Sequence, residues 1–330
     1  RPEFGIPIAP TNKSHQWAST KLIAATLLPA FLALHLHAPA AMATAAGSSN
    51  SNLFRDYIGA LYNGVRFADV PVDPRARFDF ILAFVIDYTT ATEPPSPTNG
   101  RFNVFWQDTV LTPDAVAEVK RRNPKVRVAV SLGGATVNGR PVFFNVTSGV
   151  DSWVRNAVDS LTGIIRRYGL DGIDIDYEQF QVDPGTFAEC AGRLVAALKS
   201  NGVISFASIA PYGNGDVQRY YRTLWAAHGA AIDYVNFQFY AYGASTTAAK
   251  YVSLFDEQIA NYPGANILAS FTTAATNTSV PVDTALSACR TLQGQGKLYG
   301  IFVWAADHSR NQGFKYETQS QALLTDATTY

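Results

Sequence analysis

The sequence predicts a single (β/α)8 TIM barrel of the α/β class, and three observations lead to that prediction. Short runs rich in β-branched and aromatic residues alternate with helical patterns from about residue 53 to residue 325. There are eight such runs, and the chain that contains them, about 284 residues, suits a closed barrel. An open, doubly wound sheet is the competing fold, but no glycine-rich dinucleotide fingerprint follows the first run.

The predicted elements follow one another in a regular order. The strands are predicted at residues 55–62, 78–84, 125–131, 171–177, 203–209, 233–240, 264–270 and 298–304. Apolar residues at helical spacing predict helices at residues 113–122, 151–168, 185–200, 216–229, 247–261, 282–294 and 316–325. The Pro-rich segment from Glu93 to Gly100 predicts a loop at the barrel rim, because the alternation of strands and helices continues beyond it.

The first 46 residues are predicted to lie outside the barrel. A basic flank precedes an apolar run from Leu22 to Leu36, and the small residues AMATAAGSS follow. This order is typical of a secretory signal peptide, here cut between Ala43 and Gly47. A membrane anchor is the alternative, but the apolar run is too short to span a bilayer. We therefore predict an extension with a signal peptide at residues 1–46, a folded domain at 47–330, and secretion to the cell exterior or the vacuole.

Charge and composition exclude several classes of function. The formal net charge is zero, with 26 basic and 26 acidic residues, so no basic surplus favours nucleic acid or an anionic membrane as a partner. Cys190 and Cys289 fall on predicted helices far apart, so we expect two buried thiols, although an exported protein could bridge them. His228 and His308 lie near no Ser, Cys or acidic motif, so we expect no His-based triad, metal site or cofactor.

The most informative segment is the predicted fourth strand, whose sequence from residue 171 to 178 is DGIDIDYE. Asp174, Asp176 and Glu178 alternate with apolar residues, so their carboxylates project to one side of the strand. In a barrel that side is the interior, and Glu178 lies nearest the C-terminal mouth, where chemistry takes place. Burying three acids costs stability, which favours a catalytic site over a water-facing strand. A calcium site would need a loop rich in Asp, Asn and Gly.

This carboxylate arrangement suits the cleavage of a glycosidic bond. Two neighbouring carboxylates do not both ionise readily, so we expect Asp174 and Asp176 to share a proton. A charged Asp176 should raise the pKa of Glu178, which then keeps the proton that the leaving sugar oxygen needs. The second carboxylate lies beside the acid and cannot attack the sugar from the opposite face. The nucleophile is therefore expected to come from the substrate, as its 2-acetamido oxygen.

The motif D-G-x-D-x-D-x-E at residues 171–178 resembles the signature of glycoside hydrolase family 18, the chitinases and their relatives. Three further motifs are similar to the family pattern and occur in the expected order along the predicted strands. They are Ser131-Leu-Gly133-Gly134 at the end of strand three, Gln238-Phe-Tyr240 at the end of strand six, and Trp304 at the end of strand eight. The resemblance covers residues 53–325 and is greatest to plant chitinases of the class III and bulb types. Class III members typically carry three disulfides, which two cysteines cannot form.

The resemblance implies roles for the catalytic residues. Glu178 is expected to protonate the leaving oxygen and then to deprotonate the incoming water. Asp176 is expected to orient the acetamido group and to stabilise an oxazolinium ion, while Asp174 exchanges a proton with it. Tyr240 is expected to hydrogen-bond the acetamido oxygen. The other implied site residues are Gln238 and Trp304 against the sugar, Tyr62 and Phe84 as walls, and Ser131, Gly133, Gly134 and Asp171 as structural support.

The resemblance implies a retaining chitinase active on chitin or N-acetylglucosamine oligosaccharides, which we expect to be a monomer; a defence role would follow from the family alone. Only about 27 residues separate predicted strands seven and eight, too few for the insertion that walls the groove in some relatives, so we expect a shallow, open cleft and endo-type cleavage. Two alternatives stay open: a catalytically silent lectin, storage protein or inhibitor, and an endo-β-N-acetylglucosaminidase or lysozyme-like enzyme. Asn145 and Asn277 begin glycosylation sequons on predicted loops.

Overall fold

Eight parallel strands form a closed barrel in the computed structural model, which describes residues 49–274 and 276–326. They are β1 Leu53–Ile58, β2 Arg77–Ile86, β3 Val126–Gly134, β4 Gly172–Tyr177, β5 Phe206–Ile209, β6 Tyr234–Asn236, β7 Ile267–Thr272 and β8 Gly300–Trp304. Neighbours in the chain are neighbours in the sheet, and β1 pairs with both β2 and β8, which closes the ring. The predicted barrel is confirmed, whereas the predicted signal peptide lies outside the described residues.

The helices cover the outside of the barrel. They are α1 Pro113–Arg122, α2 Val150–Tyr168, α3 Pro184–Ser200, α4 Gly215–His228, α5 Ala248–Asn261, α6 Val282–Gly294, α7 Ala306–Ser309 and α8 Lys315–Thr325. The seven predicted helices are all present, and the single turn α7 is an addition directly after β8. Between β1 and β2 the chain forms the short 3-10 turn Phe67–Asp69, so the first strand lacks the α-helix that the repeating pattern suggested.

Local capping explains where several helices begin and end. The Thr112 side chain accepts a hydrogen bond from the Ala115 amide at the start of α1, and Asp183 caps α3 in the same way through Thr186. In both helices proline occupies the first turn, where its missing N–H is not needed. Helix α2 ends at Gly169, whose φ of 65° is a conformation that glycine adopts at little cost.

Two strands end earlier than predicted, and both differences affect the site. β1 ends at Ile58 because Gly59, with φ of 103°, turns the chain away from the sheet. β6 ends at Asn236, and the 3-10 turn Phe239–Tyr242 follows it. Tyr62 and Tyr240 are therefore placed by loop and turn geometry, and the assumption that both lie at strand ends is wrong.

Two apolar cores hold the barrel together. The larger core fills the space between the strands and the helices, and a smaller one lies inside the ring. Cys190 and Cys289 are free, buried thiols in the outer core, as predicted, and burial raises the pKa of each to about 12. Among the described residues, no helix is long and apolar enough to cross a membrane.

Candidate active site

Strand β4 places the predicted acids in the barrel interior. Asp174 is fully buried and Asp176 is 5% exposed, while Glu178 follows the strand at its C-terminal end and is partly open to the cleft. Ile173 and Ile175 of the same strand pack in the outer core, so alternation along the strand separates the acids from the apolar residues.

Asp174 is surrounded by hydrogen-bond donors. The hydroxyls of Tyr57 and Ser131 each donate to its Oδ2 at 2.8 Å. The Ser208 hydroxyl donates to Oδ1 at 2.6 Å, and Asn236 Nδ2 donates to the same oxygen at 3.0 Å. Ser131 and Ser208 lie directly opposite Asp174 on β3 and β5, so strand register sets this arrangement. Four donors therefore fill the acceptor positions of this buried carboxylate.

Gln238 joins the two outer carboxylates. Its Nε2 donates to Asp176 Oδ1 at 3.0 Å and to Glu178 Oε1 at 3.2 Å. Its Oε1 accepts a hydrogen bond from the Tyr240 hydroxyl at 3.0 Å. One amide on the turn after β6 therefore connects the three groups that we expected to act on the substrate.

Burial is the main cause of the pKa shifts in this site. It raises the pKa of Asp176 well above its ordinary value, and the nearby charges of Glu178 and Asp174 raise it further. Burial also raises the pKa of Glu178, while the hydrogen bond from Gln238 opposes that shift. The predicted direction for Glu178 is correct, and burial is its main cause, whereas the charge interaction between the two carboxyl groups raises the pKa of Asp176. The raised pKa of Asp176 favours its protonated form.

Aromatic side chains form the floor and one wall of a cleft of about 480 Å³ above the acids. Trp304, at the end of β8, lies with its ring centroid 5.5 Å from that of Tyr57 and 5.7 Å from that of Phe84. Gly134, at φ of 80°, lets the Phe84 ring approach, because a Cβ there would lie 2.9 Å from that ring. Gly133 makes room for the Tyr177 ring in the same way, also at 2.9 Å.

The loop after β1 forms the outer wall. Tyr62 has φ of 52° and is 56% exposed, and its hydroxyl donates to the Phe105 carbonyl at 2.6 Å. Asp307 of α7 anchors this loop. Its Oδ2 accepts from the Gly59 amide at 2.8 Å, and its carbonyl accepts from Asn63 Nδ2 at 2.7 Å. Tyr62 therefore lines the cleft from an anchored loop, not from the strand.

Asp171 lies away from the cleft, at the entry of β4. Its carboxylate accepts from the Val128 amide at 2.8 Å and pairs with Lys120 at 2.8 Å. These contacts tie the start of β4 to the backbone of β3, which is the structural position expected for this residue.

Several residues of the site were not identified from the sequence. Tyr57, Ser208 and Asn236 all donate hydrogen bonds towards Asp174 or its donors. A short hairpin that pairs Thr136–Val137 with Arg140–Pro141 contributes a second wall through residues 135–138. Ser208 and Asn236 are polar residues in otherwise apolar strands, whereas Tyr57 shares β1 with two charged residues. That signal was available, but the predicted boundaries of β1 and β6 obscured which of these side chains point inward.

The closed barrel, with an acidic column at its C-terminal mouth and an aromatic cleft above it, defines a glycosidase of the (β/α)8 class. The model of glycosyl hydrolases family 18 matches residues 79–297. The chain belongs to this family. Among the described residues, no group of three or more His, Cys, Asp or Glu side chains could hold a metal ion.

Relatives and solved structures agree with this assignment. The chain is 53% identical over 274 residues to Chitinase 1 of Tulipa saxatilis subsp. bakeri, covering 82% of this chain and 87% of that protein. A family 18 chitinase from Crocus vernus matches with a TM-score of 0.80 and 49% identity, covering 83% of this chain and all of the other. The catalytic domain of a fern chitinase, from Peteris ryukyuensis, matches with a TM-score of 0.79 and 50% identity over the same shares.

Proposed function

We propose that the protein hydrolyses β-1,4 linkages between N-acetylglucosamine units of chitin by a substrate-assisted, retaining mechanism. Glu178 protonates the leaving oxygen, and the 2-acetamido oxygen of the substrate attacks the anomeric carbon. Asp176 and Tyr240 orient that acetamido group and stabilise the oxazolinium ion. Glu178 then removes a proton from the water that opens the ion, which restores the acid for the next turnover.

One observation supports this mechanism above the others. Asp176 of β4 and Glu178, which directly follows that strand, are the two acidic side chains that line the described cleft, and they lie side by side. A retaining enzyme with its own nucleophile places a second carboxylate across the sugar from the acid. Here the second carboxylate lies beside the acid, where it can hold the acetamido group but cannot attack from the opposite face.

We also propose that cleavage is of the endo type, and the loops at the C-terminal mouth of the barrel support this. Between β7 and β8 the described residues form helix α6, with no additional folded unit that could block one end of the cleft. Trp304 and Tyr62 extend an aromatic surface away from the acids, which suits sugar rings beyond the cleaved bond. The intact acid column argues against a catalytically silent lectin, storage protein or inhibitor.

The decisive experiment compares three hexasaccharides as substrates. N-acetylglucosamine hexamer should be cleaved internally, whereas glucosamine hexamer, which lacks the acetyl oxygen, and cellohexaose should stay intact. Mass spectrometry gives the chain lengths of the products, and NMR of the first product should show the β-anomer. Cleavage of the glucosamine hexamer at a similar rate, or an initial α-anomer, contradicts the substrate-assisted route. Turnover of an N-glycan or of peptidoglycan, with the chitin hexamer uncut, would instead identify one of the alternative hydrolases.

We also propose that the chain is exported, on the basis of the apolar run and small residues that precede the barrel. Expression with and without residues 1–46 tests this, followed by N-terminal sequencing of the protein found outside the cells. A product that retains residues 22–36 contradicts cleavage of a signal peptide.

A further inference from the structure

We propose that Arg55, which lies in the layer below the acid column, is a positioning residue for catalysis. It orients Ser208 and Asn236 as donors to Asp174 and places a positive charge below the acid column. This inference rests on the proposed function, in which Asp176, directly above Asp174, holds the acetamido group.

The position of Arg55 is unusual for an arginine. It lies in β1, is fully buried, and projects into the barrel, where its guanidinium lies 4.8 Å from the ring centroid of Tyr234. A buried arginine is costly unless it has partners of opposite charge or matching hydrogen-bond acceptors. Its Nε donates to Asp79 Oδ2 at 3.0 Å, and strand register places the two residues directly opposite each other.

The remaining hydrogen bonds of Arg55 lead towards the catalytic site. Its Nη1 donates to Ser208 Oγ at 2.9 Å and to Asn236 Oδ1 at 3.0 Å. A bond to the amide oxygen fixes the orientation of Asn236, so its Nδ2 faces Asp174. A bond to the oxygen of Ser208 likewise directs the hydroxyl hydrogen away from the guanidinium, towards Asp174 Oδ1. Arg55 therefore fixes the orientation of the two side chains that donate to Asp174 Oδ1.

Arg55 also belongs to a group of charged side chains below Asp174. Asp79 lies between two guanidiniums, because Arg127 donates to its Oδ1 and Oδ2 at 2.8 Å. This layer therefore contains two guanidiniums and one carboxyl group, and Arg55 is the fully buried guanidinium that also reaches the donors of Asp174. The charged or titratable groups that face Arg55 or Asp174 from the surrounding strands are Tyr57, Asp79, Arg127, Asp176 and Tyr234.

The pair Arg55 and Arg127 provides a matched test, because both pair with Asp79. Arg55 also contacts the donors of Asp174, whereas the hydrogen bonds of Arg127 go to Asp79 and Tyr234. We expect Arg55→Met to lower kcat on N-acetylglucosamine hexamer about tenfold or more, since a buried carboxyl group loses aligned donors. The acid limb of the plot of kcat against pH should move to higher pH, because the acid column loses a nearby positive charge. Arg127→Met should cause a smaller loss and a smaller shift.

Two more conservative changes separate an effect on positioning from an effect on folding. Asp79→Asn leaves more of the positive charge of Arg55 uncompensated, so the acid limb should move to lower pH, opposite to Arg55→Met. Arg55→Lys retains the charge but not the planar fork, and its kcat should lie between those of the wild type and Arg55→Met. Near-UV circular dichroism establishes which variants are folded. If Arg55→Met does not fold, the Asp79→Asn and Arg55→Lys results decide the question.

The proposal is overturned if folded Arg55 variants keep the wild-type kcat and acid limb, if Arg127→Met has as large an effect, or if Asp79→Asn leaves the acid limb unmoved. A failure of the proposed function would look different, because the wild-type enzyme itself would then not cleave the hexamer. If the wild type cleaves the hexamer and Glu178→Gln does not, the proposed function stands whatever the Arg55 variants show.

Discussion

Two groups of buried acids lie on opposite sides of the barrel wall. Inside, Asp174 has a donor for every acceptor position, and Gln238 joins Asp176 to Glu178. Outside, Asp56 of β1 faces Glu317 of α8, and both are fully buried. In the described part of the chain, no side-chain oxygen of these two residues has a hydrogen-bond partner of normal geometry.

Burial raises a carboxyl pKa on both sides of the barrel wall, but only the inner acids lie where they can exchange a proton with a substrate. Burial and mutual charge raise the pKa of Asp56 well above its ordinary value, and burial raises that of Glu317. The Ala306 backbone and the Ser309 hydroxyl oppose these shifts only weakly. The inner acids open onto a cleft, whereas the outer pair is enclosed by β1, α7 and α8. The inner group thus suits catalysis, and the outer pair chiefly reduces stability.

The largest expected difference is between two Glu→Gln changes. Glu178→Gln should lower kcat on chitin hexamer by about 10²–10⁴-fold, because the general acid is lost. Glu317→Gln makes the same chemical change in the outer pair and should leave kcat unchanged. Steady-state kinetics on both folded variants measure this. Comparable activity in Glu178→Gln and the wild type would remove Glu178 from the mechanism.

Two buried serines differ in the partners of their hydroxyl groups. Ser208 donates to Asp174, whereas the Ser320 hydroxyl has no partner among the described residues. Ser208→Ala should lower kcat about tenfold, since a hydrogen bond to an ionised group is worth about 1.5–3 kcal/mol. Ser320→Ala should leave both kcat and stability unchanged or slightly raise stability. Equal effects of the two changes on kcat would contradict the assigned role of Ser208.

Asp56→Asn should raise the free energy of unfolding at neutral pH by about 1–3 kcal/mol. The raised pKa of Asp56 means that the folded state binds more protons than the unfolded state, so stability falls as pH rises above about 3.9, the unfolded value. The gain from Asp56→Asn should therefore be greatest at neutral pH and shrink towards pH 4. Urea unfolding at several pH values measures it. A gain that is the same at every pH would contradict the titration of the pair.

The smallest change that we expect is a shift in the pKa of Glu178, one of the inner acids. Gln238 donates to Glu178 and opposes the rise in its pKa, so Gln238→Leu should raise that pKa further, by about one unit or less. The alkaline limb of the kcat profile should move to higher pH accordingly, although kcat itself falls. Measuring kcat from pH 3 to pH 9 tests the direction. A shift to lower pH would show that Gln238 does not stabilise the ionised acid.

The sequence predicted the parts of the molecule that depend on local periodicity. The alternation at Asp174, Asp176 and Glu178 fixed both the strand and the direction of its acids, and apolar spacing located seven helices. The ends of β1 and β6 were not predictable in the same way. A glycine turn after Ile58 and a 3-10 turn after Asn236 depend on packing against neighbouring loops. For the same reason, Tyr57 and Asn236 were missed as donors.

The cause of the Glu178 pKa shift could be identified only from the folded structure. Sequence order places Asp176 beside Glu178 and suggests repulsion between charges, whereas the folded chain buries both and joins them through Gln238. An amide 60 residues away in sequence cannot be anticipated from the strand alone. The outer pair of Asp56 and Glu317 depends in the same way on how α8 docks against β1.

The attachment of the Tyr62 loop to α7 has a mechanical consequence. Trp304 ends β8, and Asp307 follows three residues later. Asp307 accepts hydrogen bonds from the Gly59 amide and from the Asn63 side chain. The floor of the cleft and its outer wall are therefore one connected unit, and neither can be displaced without disturbing the other. The other wall, residues 135–138, lies at a two-stranded hairpin outside the barrel sheet, and the strand pairing of that hairpin does not involve the Tyr62 loop or α7.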